Sequence, residues 1–163
     1  MPAARFSIRR IQPADLGAVL PIEAASFKHP WSREMFLREL EHDWSCILVC
    51  TETGGVEPAP ADPVLGFLIY WLVHDEIHIL NVAVAPAQRR RGIARRLLQE
   101  AERRAQAAEI ALITLEVRKG DAGARALYRQ LDYKEVGIRK NYYSEEGEDA
   151  VVMVRELRDR GFE

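Results

Sequence analysis

The chain has 163 residues, 48% of them hydrophobic and 29% charged, with a formal net charge of −2 at pH 7. This balance excludes a disordered, fibrous or collagen-like chain and predicts one folded domain spanning residues 1–163. The near-neutral charge excludes attraction of the whole molecule to a polyanion, so no nucleic-acid partner is expected.

In chain order, FSIRRI predicts a first strand and QPADLGAVLPIEAASF a helix with Pro13 in its first turn. Ser32 is the N-cap of a second helix with Met35, Phe36, Leu37 and Leu40 as its apolar residues. SCILVCTE and PVLGFLIYWLV are strands joined by TGGVEPAPAD, a loop rich in glycine and proline and expected to be mobile. Cys46 and Cys50, four residues apart on one strand, sit about 13 Å apart, too far to bridge, and are read as small core residues. A further strand, EIHILNVAVA, runs into the segment APAQRRRGIARRLL. From Ile93 to about Ala108, Ile93, Leu97, Leu98, Ala101 and Ala105 recur at helical spacing. Then come a strand ALITLEVR, a helix from Ala122 to Gln130, a strand near YKEVGIR and a last strand EDAVVMVREL. The order βααβββαβαββ predicts an α/β (α+β) fold, a mixed, mostly antiparallel central sheet flanked by helices with one crossover pair. The longest apolar runs stop well short of the ~20 residues that span a bilayer, and no signal-peptide apolar region opens the chain. A cytoplasmic protein with no membrane partner is expected.

Arg89, Arg90, Arg91, Arg95 and Arg96 crowd around Gly92 at a helix start. Such a turn presents unpaired N–H groups and the positive end of the helix dipole, which suit phosphate oxygens, although the spacing alone favours a solvated basic helix face. It is not a P-loop, since no Gly-Lys-Ser/Thr follows, nor a dinucleotide fingerprint, which needs three glycines. The segment HDEIH sets His74 and His78 four apart, but on a strand and with aspartate at the second position, so no metal site is expected.

NVAVAPAQRRRGIARRLL resembles the coenzyme A signature of the GNAT acetyltransferase superfamily, Arg/Gln-x-x-Gly-x-Gly/Ala, with Arg89, Gly92 and Ala94 at its defining positions. The resemblance implies acetyl-CoA as co-substrate. Its pyrophosphate would be held by the amides of Arg89, Arg90, Arg91, Gly92, Ile93 and Ala94. Its pantetheine arm would pair with the backbone of Val82, Ala83 and Val84. HPWS, LEVR, ALYRQLDY and RKNYYSEEGEDAVVM extend the resemblance over nearly the whole chain, to the RimI-type ribosomal-protein-alanine N-acetyltransferases. That branch implies acetyl transfer to a protein N-terminal α-amine, the alanine of a small-subunit ribosomal protein. Transfer would be direct, in a ternary complex, with Glu116 as general base and Tyr128 as general acid. Pro30, Trp31, Ser32, Asn141, Tyr142 and Tyr143 match its peptide-binding positions, and Glu145, Glu146, Glu148 and Asp149 form either a solvated turn or an attraction for basic tails.

Two positions depart from that pattern. Gly120 and Asp121 replace a Ser-Asn pair, leaving Asp121 as a coenzyme contact or as a helix N-cap, and Asp132 replaces a glycine, which carries a cost if the position is left-handed. An acetyltransferase acting on lysine or a small-molecule amine is the alternative enzyme. A ribosome- or nucleic-acid-binding module and a non-catalytic acyl-CoA sensor are the readings from other classes, and the presence of both Glu116 and Tyr128 argues against the sensor.

Overall fold

The computed structural model describes residues 5–158. The elements follow in the expected order: β1 (Arg5–Arg10), α1 (Leu16–Ser26), α2 (Arg33–Glu39), β2 (Ser45–Thr53), β3 (Val64–Val73), β4 (Glu76–Val84), α3 (Ile93–Ala107), β5 (Leu112–Arg118), α4 (Ala122–Gln130), β6 (Lys134–Tyr143) and β7 (Glu148–Glu156). Single 3-10 turns at Pro13–Asp15 and Pro86–Gln88 lead towards α1 and α3. The seven strands form one sheet in the order β1-β2-β3-β4-β5-β7-β6. β1/β2, β5/β7 and β6/β7 pair antiparallel, while β4/β5 is parallel. A parallel neighbour requires a crossover, and α3 supplies it.

The residues gather into two compact units, one running to Tyr70 and including Asn81–Ala101, the other comprising Trp71–Leu80 and the chain from Glu102 onward. In the first, Arg9 grips the Asp15 carboxylate through both terminal nitrogens at 2.7 and 2.8 Å, and the Gln12 N–H donates to the same carboxylate, which fixes the entry into α1. Pro13 opens that turn, where its missing N–H costs nothing. Ser32 Oγ accepts from Met35 N at 3.2 Å, as an N-cap should. Phe36 is fully buried and packs edge-on to Phe67, but Met35 and Leu37 are exposed. Three consecutive helical positions span about 200° of the helix, so they cannot share one buried face. Cys46 and Cys50 are buried free thiols in β2, and burial pushes Cys50 up to about 11.

Gly66 on β3 has a packing role that the sequence did not reveal. A Cβ there would stand 2.8 Å from the Ala83 carbonyl oxygen and 3.1 Å from the Ile93 side chain, so β4 and the start of α3 close onto bare backbone. In the second unit, the Tyr133 N–H bonds Tyr128 O and the Asp132 N–H bonds Arg129 O. This is a Schellman ending for α4, with Asp132 in its left-handed position at φ 69°.

Two stability outcomes follow. Asp132→Gly raises stability by up to about 1 kcal/mol, the relief of a left-handed penalty of roughly 1–2 kcal/mol less the added freedom of the unfolded chain. Gly66→Ala lowers it by about 1–3 kcal/mol, because the added methyl meets backbone that cannot rotate away. Urea unfolding of both variants measures the two effects.

Candidate active site

β5 alternates cleanly: Ile113, Leu115 and Val117 are buried in the core, which places Leu112, Thr114, Glu116 and Arg118 on the opposite face. Registered residues of neighbouring strands share a face, so the pairing selects what Glu116 meets. His78 stands opposite Thr114 in the parallel β4/β5 ladder, on Glu116's face and one step diagonal to it. Its Nε2 lies 2.6 Å from Glu116 Oε2. On the other side, Val152 of β7 stands opposite Glu116, and Ala150, two residues away, stands opposite Arg139 of β6. The small Ala150 lets Arg139 reach across, and its Nε lies 3.6 Å from Glu116 Oε1.

The Glu116 side chain is only 7% exposed. Burial works against its charge, but the His78 hydrogen bond, the charge of His78 when protonated and that of Arg139 outweigh it and hold the carboxyl below its ordinary value. The same face carries Tyr142 under the Arg139 guanidinium (5.6 Å) and Tyr143 under that of Arg118 (3.9 Å). The Tyr143 phenol is pushed up to about 12, chiefly by burial, with Arg118 opposing and the Glu116 carboxylate among the smaller contributions. Tyr128 on α4 packs against Tyr133 at 5.7 Å between centroids. Its phenol is also pushed up to about 12, first by burial and then by the negative charge of Asp121, with Tyr143 a further contribution. Asp121 itself caps α4, its carboxylate accepting from Ala124 N at 3.0 Å, so the capping alternative holds for this position. The acidic turn is engaged internally. Glu146 and Glu148 pair with Arg118 at 3.7 and 3.0 Å, and Asp149 accepts from the Asn141 N–H.

In the first unit, the end of β4 buries Ala83 and leaves Val82 and Val84 half-buried, beyond the stretch Glu76–Ile79 that is in register with β5. Arg90 (φ 65°) and Gly92 (φ 78°) turn the chain through the left-handed region into α3. Arg89, Arg90 and Gly92 are exposed, whereas the Ile93 side chain belongs to the core, so Ile93 offers a ligand only its N–H. The Arg91 guanidinium is held by Glu52 (2.8 Å) and Gln88 (2.6 Å) and lies 5.0 Å over Phe6, which likewise leaves its amide as the ligand group. The buried Glu23 of α1 accepts from Trp31 N (2.8 Å) and Asn81 Nδ2 (3.0 Å), and burial raises its pKa despite both bonds. That carboxylate ties the Pro30–Ser32 loop to β4.

The sequence reading missed His78, Arg139, Glu23 and Asn81. Glu23 was detectable, since Leu16, Val19 and Ile22 place it beside the buried stripe of α1. His78 and Arg139 were not, because their approach to Glu116 depends on strand register.

The chain belongs to the acetyltransferase (GNAT) family, whose model matches residues 16–133, and it is therefore an acetyltransferase. Among named relatives, the [ribosomal protein bS18]-alanine N-acetyltransferase of Escherichia coli (strain K12) is 32% identical over 149 residues, 90% of this chain and 95% of that one. The protein of the same name from Haemophilus ducreyi is 30% identical over 90% of this chain and 97% of its own. The crystal structure of the ribosomal-protein-S18-alanine N-acetyltransferase from Escherichia coli superposes with a TM-score of 0.82 at 31% identity, covering 97% of each chain. No helix among the described residues is long and apolar enough to cross a membrane.

A carboxyl held below its ordinary pKa in the fold adds stability at pH values above about 4.3 and loses that stability as pH falls through the lower folded value. Urea unfolding from neutral to acidic pH will show this acid-side loss in the wild type and a smaller one in Glu116→Gln.

Proposed function

We propose that the chain, as one catalytic domain, transfers the acetyl group of acetyl-CoA to the N-terminal α-amine of a protein, the alanine of ribosomal protein bS18. The names of its relatives support the substrate, and the observation that carries the chemistry is Glu116, a carboxylate screened from solvent yet kept ionised.

Glu116 takes a proton from the amine, directly or through one water. The freed nitrogen lone pair attacks the thioester carbonyl carbon, the C–N bond forms and the C–S bond breaks. Tyr128 donates its phenolic proton to the departing thiolate, and the second proton shed by the new amide nitrogen returns to the Tyr128 oxygen, while the proton held by Glu116 passes to solvent. Burial supports that role by keeping the phenol protonated at neutral pH. The amides from Arg89 to Ala94 hold the pyrophosphate at the positive end of α3, and the Val82–Val84 backbone pairs with the pantetheine arm. Pro30, Trp31, Ser32, Asn141, Tyr142 and Tyr143 line the peptide's path.

The test incubates purified protein with acetyl-CoA and two peptides, one bearing the bS18 N-terminus and one with a blocked N-terminus and an internal lysine. Mass spectrometry will find acetate on the α-amine of the first, and modification of the lysine peptide alone overturns the reading. Gly92→Asp abolishes acetyl-CoA binding measured by calorimetry. The site has room for a side chain, so the loss comes from backbone strain at φ 78° and from negative charge beside the pyrophosphate. Tyr128→Phe lowers kcat by roughly 10²–10³-fold with both KM values little changed, because the hydroxyl acts on the thiolate only as it departs.

A further inference from the structure

The contact between His78 and Glu116 has no part in the steps above. We propose that His78 is a positioning residue for Glu116: its Nε2–H holds Oε2, which leaves Oε1 as the oxygen that meets the substrate amine, and protonation of the imidazole weakens Glu116 as a base. This rests on Glu116 being the general base.

An ionised carboxylate has no proton to give, so at 2.6 Å Nε2 must be the donor and the bond is charge-assisted. That donation fixes one oxygen and, through the β4/β5 register, the orientation of the whole carboxylate. Arg139 lies 3.6 Å from Oε1, close enough to favour the anion but beyond a hydrogen bond, so the lone pairs of Oε1 stay open to an ammonium proton. A neutral imidazole gives Oε2 one hydrogen bond, which lowers the basicity of the carboxylate without adding a charge. An imidazolium adds a full positive charge and withdraws that basicity.

The other groups on this face do not share that property. Arg139 and Tyr142 and Tyr143, all from β6, face the carboxylate. Arg118 on β5 is occupied by Tyr143, Glu146 and Glu148, the last being the first residue of β7, whose residues opposite Glu116 and Arg139 are the apolar Val152 and Ala150. The guanidinium groups stay charged and the phenols, both raised, stay neutral through the working range. The His78 side chain is 29% exposed, so solvent reaches the imidazole.

Three variants decide the matter: His78→Gln, whose amide can still donate to Oε2 but cannot become charged, His78→Ala, which does neither, and Glu116→Gln. Each is assayed for kcat and both KM values with an alanine-starting peptide across about pH 6–10, and acetyl-CoA calorimetry confirms that each is folded. The expected result is a fall in kcat of roughly 10–100-fold for His78→Ala with KM values unchanged. His78→Gln restores most of that loss at alkaline pH and moves the acid limb of kcat to lower pH than in the wild type. A His78→Ala enzyme with wild-type kcat and pH profile overturns the proposal, as does a His78→Gln enzyme as slow as His78→Ala at every pH. If those results accompany an inactive Glu116→Gln, only the role of His78 falls. If Glu116→Gln keeps wild-type turnover, the base assignment and the role of His78 fall together.

Discussion

The charge on Glu116 is the constraint on which the candidate catalytic face is built. A carboxylate this covered pays a desolvation cost that ordinarily neutralises it, and a protonated Glu116 could accept nothing from an amine. Two groups from two different strands offset that cost, His78 by a short hydrogen bond and Arg139 by proximity. Each reaches the carboxylate only because the sheet is in the right register. A slip of one residue in β4/β5 would turn His78 to the opposite face, and a slip in β6/β7 would do the same to Arg139. The hydrogen-bond ladders therefore set the electrostatics of the site as directly as the side chains do.

A second constraint governs the turn at Gly92, proposed to hold the pyrophosphate. Gly66 brings β3 backbone against Ala83 and Ile93, anchoring the last residues of β4 and the first residue of α3 from the same side. Ile93 is buried there, so the start of α3 is fixed by core packing while Arg89, Arg90 and Gly92 remain at the surface. A ligand bound through backbone amides needs this arrangement, since a frayed helix start would present its N–H groups in no fixed direction. Arg91 reinforces it from outside, bridging to Glu52 and lying over Phe6.

Much of this was legible in the sequence because the governing signals are local. The element order, the Ser32 cap, the free buried cysteines and the turn at Gly92 each depend on a few neighbouring residues. The left-handed strain at Asp132 was foreseeable for the same reason, since a helix end with this geometry accepts glycine most readily. Failures came where the decisive relation was non-local or where spacing was read too loosely. Met35 and Leu37 were grouped with Phe36 although helical geometry spreads three successive residues around the axis. His78 was weighed against His74, its neighbour in sequence, when its partner lies 38 residues away on another strand. The pairing of the acidic turn with Arg118 was equally out of reach of local reading, since Arg118 arrives from β5.

The depressed basicity of Glu116 also bears on which amine the site suits. At pH 7 an α-ammonium with a pKa of about 7.7–8.0 gives up its proton for roughly 1 kcal/mol, whereas a lysine near 10.4 requires roughly 4.6 kcal/mol. A carboxylate weakened as a base by His78 and Arg139 closes little of that roughly 3.5 kcal/mol difference, so it is poorly matched to a lysine unless the lysine's own pKa is lowered by burial. The charge nearest Glu116 works in the same direction. Arg139 places a cation beside Glu116, which would favour a group that arrives already partly neutral, whereas Arg118 is neutralised by Glu146 and Glu148. A peptide α-amine meets that condition at physiological pH, which agrees with the proposed N-terminal substrate.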